Sequence, residues 1–262
     1  MLNITDPAEA RKIIRADKYD KQTAGIAGKY VQGNICILPS KYALDFAAFC
    51  QKNPKPCPLI GFGIKGDPHL KDLGDIDIRT DVPKYKIWQN GKVVDEPTNI
   101  KKYWNDDLVT FVLGCSMSFE LPLMEAGIEM QHIKNNTTVP MYKTNIDCEP
   151  AGPFKGKLVV SMRPLNAEDT IKAIQISSRF PAVHGAPIHL GDPAQIGIKD
   201  IMKPEYGDAP RIIKNNEIPV FWACGVTPQS VVENCKPDFC ITHKPGSMLI
   251  TDKLNSSLAA IN

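Results

Sequence analysis

The sequence predicts an α/β fold. Three observations carry that expectation: short apolar runs that pass through small residues into helix starts, helical stretches with apolar residues every three or four positions, and an alternating segment folded about an Asn-Gly pair. The elements follow in chain order. Asp6-Pro7-Ala8-Glu9 opens the first helix, with a capping side chain, proline at the first helical position and a glutamate that completes a capping box; the helix is expected to reach about Lys18. Ser40 precedes Tyr42, Ala43, Phe46, Ala47 and Cys50, the spacing of an amphipathic helix, and Asn53-Pro54 ends it. From Tyr85 to Val94 the chain alternates around Asn90-Gly91, a hairpin signal because both central turn residues favour positive φ, and such a hairpin is expected at a sheet edge.

From Leu108 onward the runs read as parallel strands with crossover helices. Leu108 to Leu113 passes through Gly114-Cys115-Ser116-Met117-Ser118 into a helix over Phe119 to Gly127. Leu158 to Met162 passes Arg163-Pro164 to an Asn166 cap and a helix from Ala167 to about Ser177. Val220 to Ala223 passes Cys224-Gly225-Val226 to a Thr227 cap, Pro228 and a short helix to Cys235; a strand over Asp238 to Thr242 would close a right-handed βαβ unit.

Composition narrows the function. With 31 basic and 29 acidic residues among 262, the net charge of +2 provides no field to gather nucleic acid or anionic lipid, so neither is expected as a partner. No apolar run approaches membrane-spanning length, and Met1 to Pro7 lacks the pattern of an export signal, so a cytoplasmic protein is expected. Its eight cysteines are scattered, which favours reduced thiols over bridges. The absence of Cys-x-x-Cys pairs and of histidines at i, i+4 spacing removes the zinc-finger, thioredoxin-like and zincin patterns.

In open α/β sheets ligands bind beyond strand ends, where helix N-termini offer unpaired N–H groups and partial positive charge. Two such mouths are present, Gly114 to Ser118 and Cys224 to Thr227, each combining small residues with hydroxyls and a thiol. Cys115 or Cys224 at a helix start is a candidate activated thiolate, with His243 after a neighbouring strand. The richest polar stretch runs from Arg179 to Pro193. It holds His184, His189 and Asp192, apt for acid–base work and conceivable as ligands of a divalent metal, although their spacing matches no metal pattern and no cofactor is expected. Arg163 follows its expected strand with a fork suited to a carboxylate, and Glu120 sits near a helix start.

Several segments together resemble one family, the hydro-lyases that include the D-glutamate cyclases. They are Asn53 to Leu59, Asp77 to Pro83, Gly114-Cys115-Ser116-Met117-Ser118-Phe119-Glu120, Val139 to Asn145, Val159 to Pro164, His184-Gly185-Ala186-Pro187-Ile188-His189, Val220 to Gln229 and Ile250-Thr251-Asp252. Order and spacing hold from about residue 35 to the end. The resemblance implies a three-layer sheet domain, residues 1–115 and 207–262, with a smaller two-layer α+β domain, 116–206, inserted. It also implies, for some members, loss of water from D-glutamate to give 5-oxo-D-proline. Ser247 stands where the family pattern often has histidine.

That ring closure needs a base for the α-amine, an acid for the departing hydroxide and a cradle for the oxyanion. Residue chemistry nominates His184 or His189 as base, Glu120 or Asp192 as orienter or second acid, Cys224 as a further catalytic candidate, and Arg163 for the α-carboxylate. Cys115, Ser116, Ser118 and Thr227 at the mouths, with Thr144, Asn145 and Gln229 from the matching segments, complete the candidate substrate-binding set. Two other classes stay open: a cysteine-dependent acyl transferase or amidase, and a non-catalytic binder of a small acid. The expected partner is a small-molecule acid, and a homo-oligomer is compatible with the sequence.

Overall fold

The structure, a computed structural model, describes residues 4–260; the first three residues of the segment read as lacking an export signal lie outside it. Helix α1 (Pro7–Arg15) starts as its cap dictates, with Asp6 accepting from Ala8 N–H at 2.8 Å. It stops short of Lys18 because Asp17 turns left-handed, φ 56°. Strand β1 (Tyr30–Pro39) leads through a single 3₁₀ turn, Ser40–Tyr42, into α2 (Ala43–Lys52). After β2 (Leu59–Phe62), the expected hairpin forms from β3 (Tyr85–Gln89) and β4 (Lys92–Asp95). Asn90 and Gly91 take φ of 51° and 76°, and Gln89 pairs with Lys92 across the turn.

The second half comprises β5 (Leu108–Leu113), α3 (Met117–Glu125), the single-turn α4 (Gln131–Lys134), β6 (Met141–Asp147), β7 (Lys157–Asn166) and α5 (Ala167–Ser177). It closes with β8 (His189–Leu190), β9 (Glu217–Ala223), α6 (Thr227–Cys235), β10 (Cys240–His243) and β11 (Leu249–Leu254).

Helices and strands are both present in an α/β fold, but the strand pairings correct the parallel expectation. Seven strands form one sheet in the order β2-β5-β1-β10-β3-β4, with β11 also on β1, and four form a second in the order β6-β7-β9-β8. Every strand pair in both sheets is antiparallel. No βαβ unit arises from β9, α6 and β10, because β9 lies in the small sheet and β10 in the large one. A fully buried strand reads as a continuous apolar run whatever the direction of its neighbour, so the pattern reported burial rather than pairing. The 3–4 hairpin does lie at the edge of its sheet.

Strand β9 begins at Glu217, beyond the expected boundary at 206/207, yet its whole length pairs with β7 in the small sheet. Strand β7 also outruns its expected end at Met162. Pro164 faces Pro219 in register, so two residues that lack an N–H oppose each other and the ladder continues. Arg163 is consequently inside a strand, opposite Val220.

One apolar core joins the sheets: Phe46 and Phe49 of α2, Phe111 of β5, Val160 of β7, Phe221 of β9 and Val231 of α6 all belong to it. A second, with Phe119, Ala173 and Trp222, seats α3 and α5 on the other face of the small sheet. Strands β5 and β9 thus deliver their following turns and helices, α3 and α6, from different sheets toward a common region. Among the described residues no helix is long and apolar enough to cross a membrane.

Candidate active site

The two helix mouths meet. Asn34 of β1 donates its side-chain N–H to Gly114 O at 2.9 Å. A Cβ on Gly225 would fall 2.0 Å from Asn34 Nδ2 and 2.9 Å from Gly114 O, so only glycine lets the second turn press against the first. Cys115, Ser116 and Met117 from one turn and Cys224 and Val226 from the other line one hollow, closed by Thr137 to Val139 and by Gly246 and Met248. It is a narrow, partly open hollow with a mostly apolar lining. Asn34 lines it too; it is 2% exposed, and its Oδ1 has no protein partner among the described residues.

A buried charge cluster forms one wall. Glu120, in the first turns of α3, accepts from Arg163 Nε at 3.1 Å and from Nη2. Arg163 also donates to Ser161 Oγ at 3.0 Å and Ser116 Oγ at 2.8 Å, and the rings of Phe119 and Trp222 flank its guanidinium at 5.7 and 5.3 Å. His132 Nε2 lies 3.3 Å from Glu120 Oε1, an ion pair when the imidazole is protonated. Burial pushes the Glu120 carboxyl upward, but His132 and Arg163 outweigh it and hold it well below the usual carboxylate range. Glu120 is therefore a fixed anion. Glu120 and His132 both face the hollow, while Arg163 lies behind Glu120 and borders a neighbouring hollow that His132 and Thr137 share.

The expected residues thus divide. Cys115, Ser116, Glu120 and Cys224 line the hollow. The fork of Arg163 is taken up by Glu120, Ser116 and Ser161 rather than free for a ligand. Thr227 is the first residue of α6 rather than its cap; its hydroxyl donates to Cys224 O at 2.7 Å and accepts from Val159 N–H at 3.1 Å, bracing the second mouth. Ser118 is buried with its hydroxyl unpartnered. Thr144 donates to Leu158 O, Asn145 is exposed beside Gly197, and Gln229 donates to His243 O; none of the three lines the hollow.

The polar stretch from Arg179 to Pro193 does not reach the hollow. His184 is buried in a left-handed conformation, φ 84°, and its Nδ1–H donates to Lys55 O at 2.6 Å. Burial pulls its pKa down to about 4, with Arg163 adding to the effect. His189 is partly exposed and bonds Asp192 O through Nε2 at 2.8 Å, while the Asp192 carboxylate accepts from Ala194 N–H. His243 accepts from Ile35 N–H and is likewise pulled by burial to about 4.

Sequence reasoning missed His132 and Asn34. The signals were faint: His132 is the one histidine between His69 and His184, and Asn34 is a polar residue directly before the apolar run Ile35-Cys36-Ile37-Leu38. Among the described residues no group of three or more histidine, cysteine, aspartate or glutamate side chains is placed to hold a metal ion.

The family model described as D-glutamate cyclase matches residues 109–252. The chain belongs to the D-glutamate cyclase family. Its relatives include proteins named "Putative hydro-lyase" from Pelagibacter ubique, 78% identical with all of both chains covered, and from Bordetella pertussis, 59% identical over 96% of this chain and 91% of that one. A third from Bradyrhizobium diazoefficiens is 60% identical over 91% of this chain and 88% of its own. A nitrogen repressor-like protein from Methanococcus jannaschii superposes with a TM-score of 0.36 at 9% identity, over 83% of this chain and 86% of that one, too distant to carry an argument. Family membership makes this chain one of a hydro-lyase group, and Ser247, expected to differ from the family pattern, lies between two residues that line the hollow, Gly246 and Met248.

Proposed function

We propose that the hollow binds D-glutamate and closes it to 5-oxo-D-proline with loss of one water. The observation that carries this reading is the convergence of two helix N-termini, the Asn34 amide and a glutamate–histidine pair on one hollow. Asn34 Oδ1 accepts from the substrate's ammonium group. The Ser116 N–H, which has no backbone acceptor among the described residues, supplies a donor for the oxyanion of the tetrahedral intermediate, a role worth about 2.7 to 4 kcal/mol.

His132 is the proton carrier, in place of His184 or His189. Glu120 fixes its Nε2 side, and Nδ1 has no protein partner among the described residues. The amine gives up one proton to His132 before attacking the γ-carboxyl carbon and a second as the lactam forms. Both end on the departing oxygen, which leaves as water, so no external acid or nucleotide is consumed. Arg163 acts through Glu120, keeping it anionic and immobile. The eight free thiols accord with a reducing, cytoplasmic setting.

The test offers purified protein, with and without EDTA, a panel of amino, hydroxy and dicarboxylic acids and follows products by mass spectrometry. A product one water lighter from D-glutamate is expected, and His132→Gln is expected to lower kcat by about a hundredfold. Tight binding with no product would make the protein a carrier and refute the proposal, as would full turnover by His132→Gln.

A further inference from the structure

The ring closure leaves Cys115 and Cys224 unused, although both line the hollow. Their settings match. Each lies between a strand end and a helix start, one in the turn after β5 of the large sheet and the other in the turn after β9 of the small sheet. Cys115 O accepts from Ser118 N–H at 3.1 Å and Cys224 O from Thr227 N–H at 3.0 Å, the same three-residue step. Asn34 bonds the first turn at Gly114 O, packs against Gly225 of the second and lines the hollow. Among the described residues no imidazole is hydrogen-bonded to either sulfur, the arrangement by which a thiol nucleophile is commonly activated. The Cys224 thiol donates to Met141 Sδ at 3.4 Å, whereas Cys115 is the more exposed of the two. Two thiols brought to one cavity from two different sheets suit chemistry that needs an acid and a base about one carbon.

We propose that Cys115 and Cys224 exchange the α-proton of the amino acid held in this hollow, or of its lactam, and thereby interconvert the two enantiomers. The proposal rests on the hollow being an amino-acid site. One cysteine, as thiolate, takes the Cα proton: the C–H bond breaks, an S–H bond forms, and the electron pair passes into the adjacent carboxyl group. The other, as thiol, returns a proton to the opposite face and becomes the thiolate. Protons and charge balance with no co-reactant. Burial pushes the two thiols up to about 11 and about 12, the Glu120 carboxylate adds to the rise and Arg163 opposes it; a bound ammonium group brings a further cation that favours the thiolate.

The experiment incubates the wild-type protein in D₂O with D-glutamate, L-glutamate and both 5-oxoproline enantiomers. Loss of the α-proton signal by NMR and chiral chromatography read exchange and inversion, and mass spectrometry reads water loss separately. The expected result is deuterium at Cα and appearance of the opposite enantiomer, with a rate that rises with pH above 8 and falls at least a hundredfold in Cys115→Ser and in Cys224→Ser. If a serine variant loses its cooperative melt, the alanine variant takes its place. A dehydrated product that keeps its α-protium overturns the proposal and leaves the ring closure standing. Exchange without dehydration supports the proposal and removes the ring closure; neither reaction with any of the four compounds overturns both. Undiminished exchange in either folded cysteine variant also overturns it.

Discussion

Replacing Glu120 with alanine isolates the part the buried charge cluster plays in stability and chemistry. Arg163 is 2% exposed and makes two of its four side-chain hydrogen bonds to Glu120. Removing one partner of a buried ion pair costs about 3 to 5 kcal/mol, because the remaining charge is left without compensation. The two serine hydroxyls and the flanking Phe119 and Trp222 rings stay in place and put the expected loss toward the lower end of that range. For a chain of this size, about 3 kcal/mol lowers the melting temperature by roughly 10 °C. Circular-dichroism melts at pH 7 read this directly. The double variant Glu120→Leu with Arg163→Met removes both charges and is expected to recover most of the loss, since well-packed apolar residues replace a buried pair at little cost. A Glu120→Ala protein that melts within about 2 °C of wild type would falsify the claim that this carboxylate neutralises a desolvated guanidinium.

Three further outcomes are expected. His184 and His243 are both pulled from the ordinary 6.5 to about 4, so the unfolded chain binds protons that the folded chain refuses as pH falls below about 6.5, and stability declines until about pH 4. At about 1.36 kcal/mol per pH unit this comes to about 3 kcal/mol for each histidine, and chemical denaturation at pH 7 and pH 5 should differ by several kcal/mol; equal midpoints would remove the argument. Gly225→Ala drives a Cβ into Asn34 Nδ2 and is expected to cost about 2 kcal/mol and to weaken substrate binding, measured by melts and KM, with a wild-type melt as the contrary result. His189→Asn, in the short edge strand β8 with its ring hydrogen-bonded to Asp192 O, is expected to leave turnover within about twofold, so a hundredfold loss would return that segment to the active site.

Local signals were legible because a few neighbouring residues decide them. Asp6 and Pro7 set the start of α1, Asn90-Gly91 the hairpin, Asn166 the cap of α5, and glycine with small polar residues marked both helix mouths. The family was legible for a related reason: ordered segments along most of the chain carry it whatever their arrangement in space. Strand direction was not, since an apolar run records that both faces are covered and says nothing of which strand lies beside it.

The site itself was decided by contacts between residues far apart in the chain. Asn34 reaches Gly114 across 80 positions, and Arg163 meets Glu120 across 43. Those contacts bring both mouths to one cavity, draw in a histidine from a one-turn helix, and leave the histidine-rich loop outside. Which polar groups share a hollow follows from how two antiparallel sheets close on one core, and no pattern confined to neighbouring residues contains that closure.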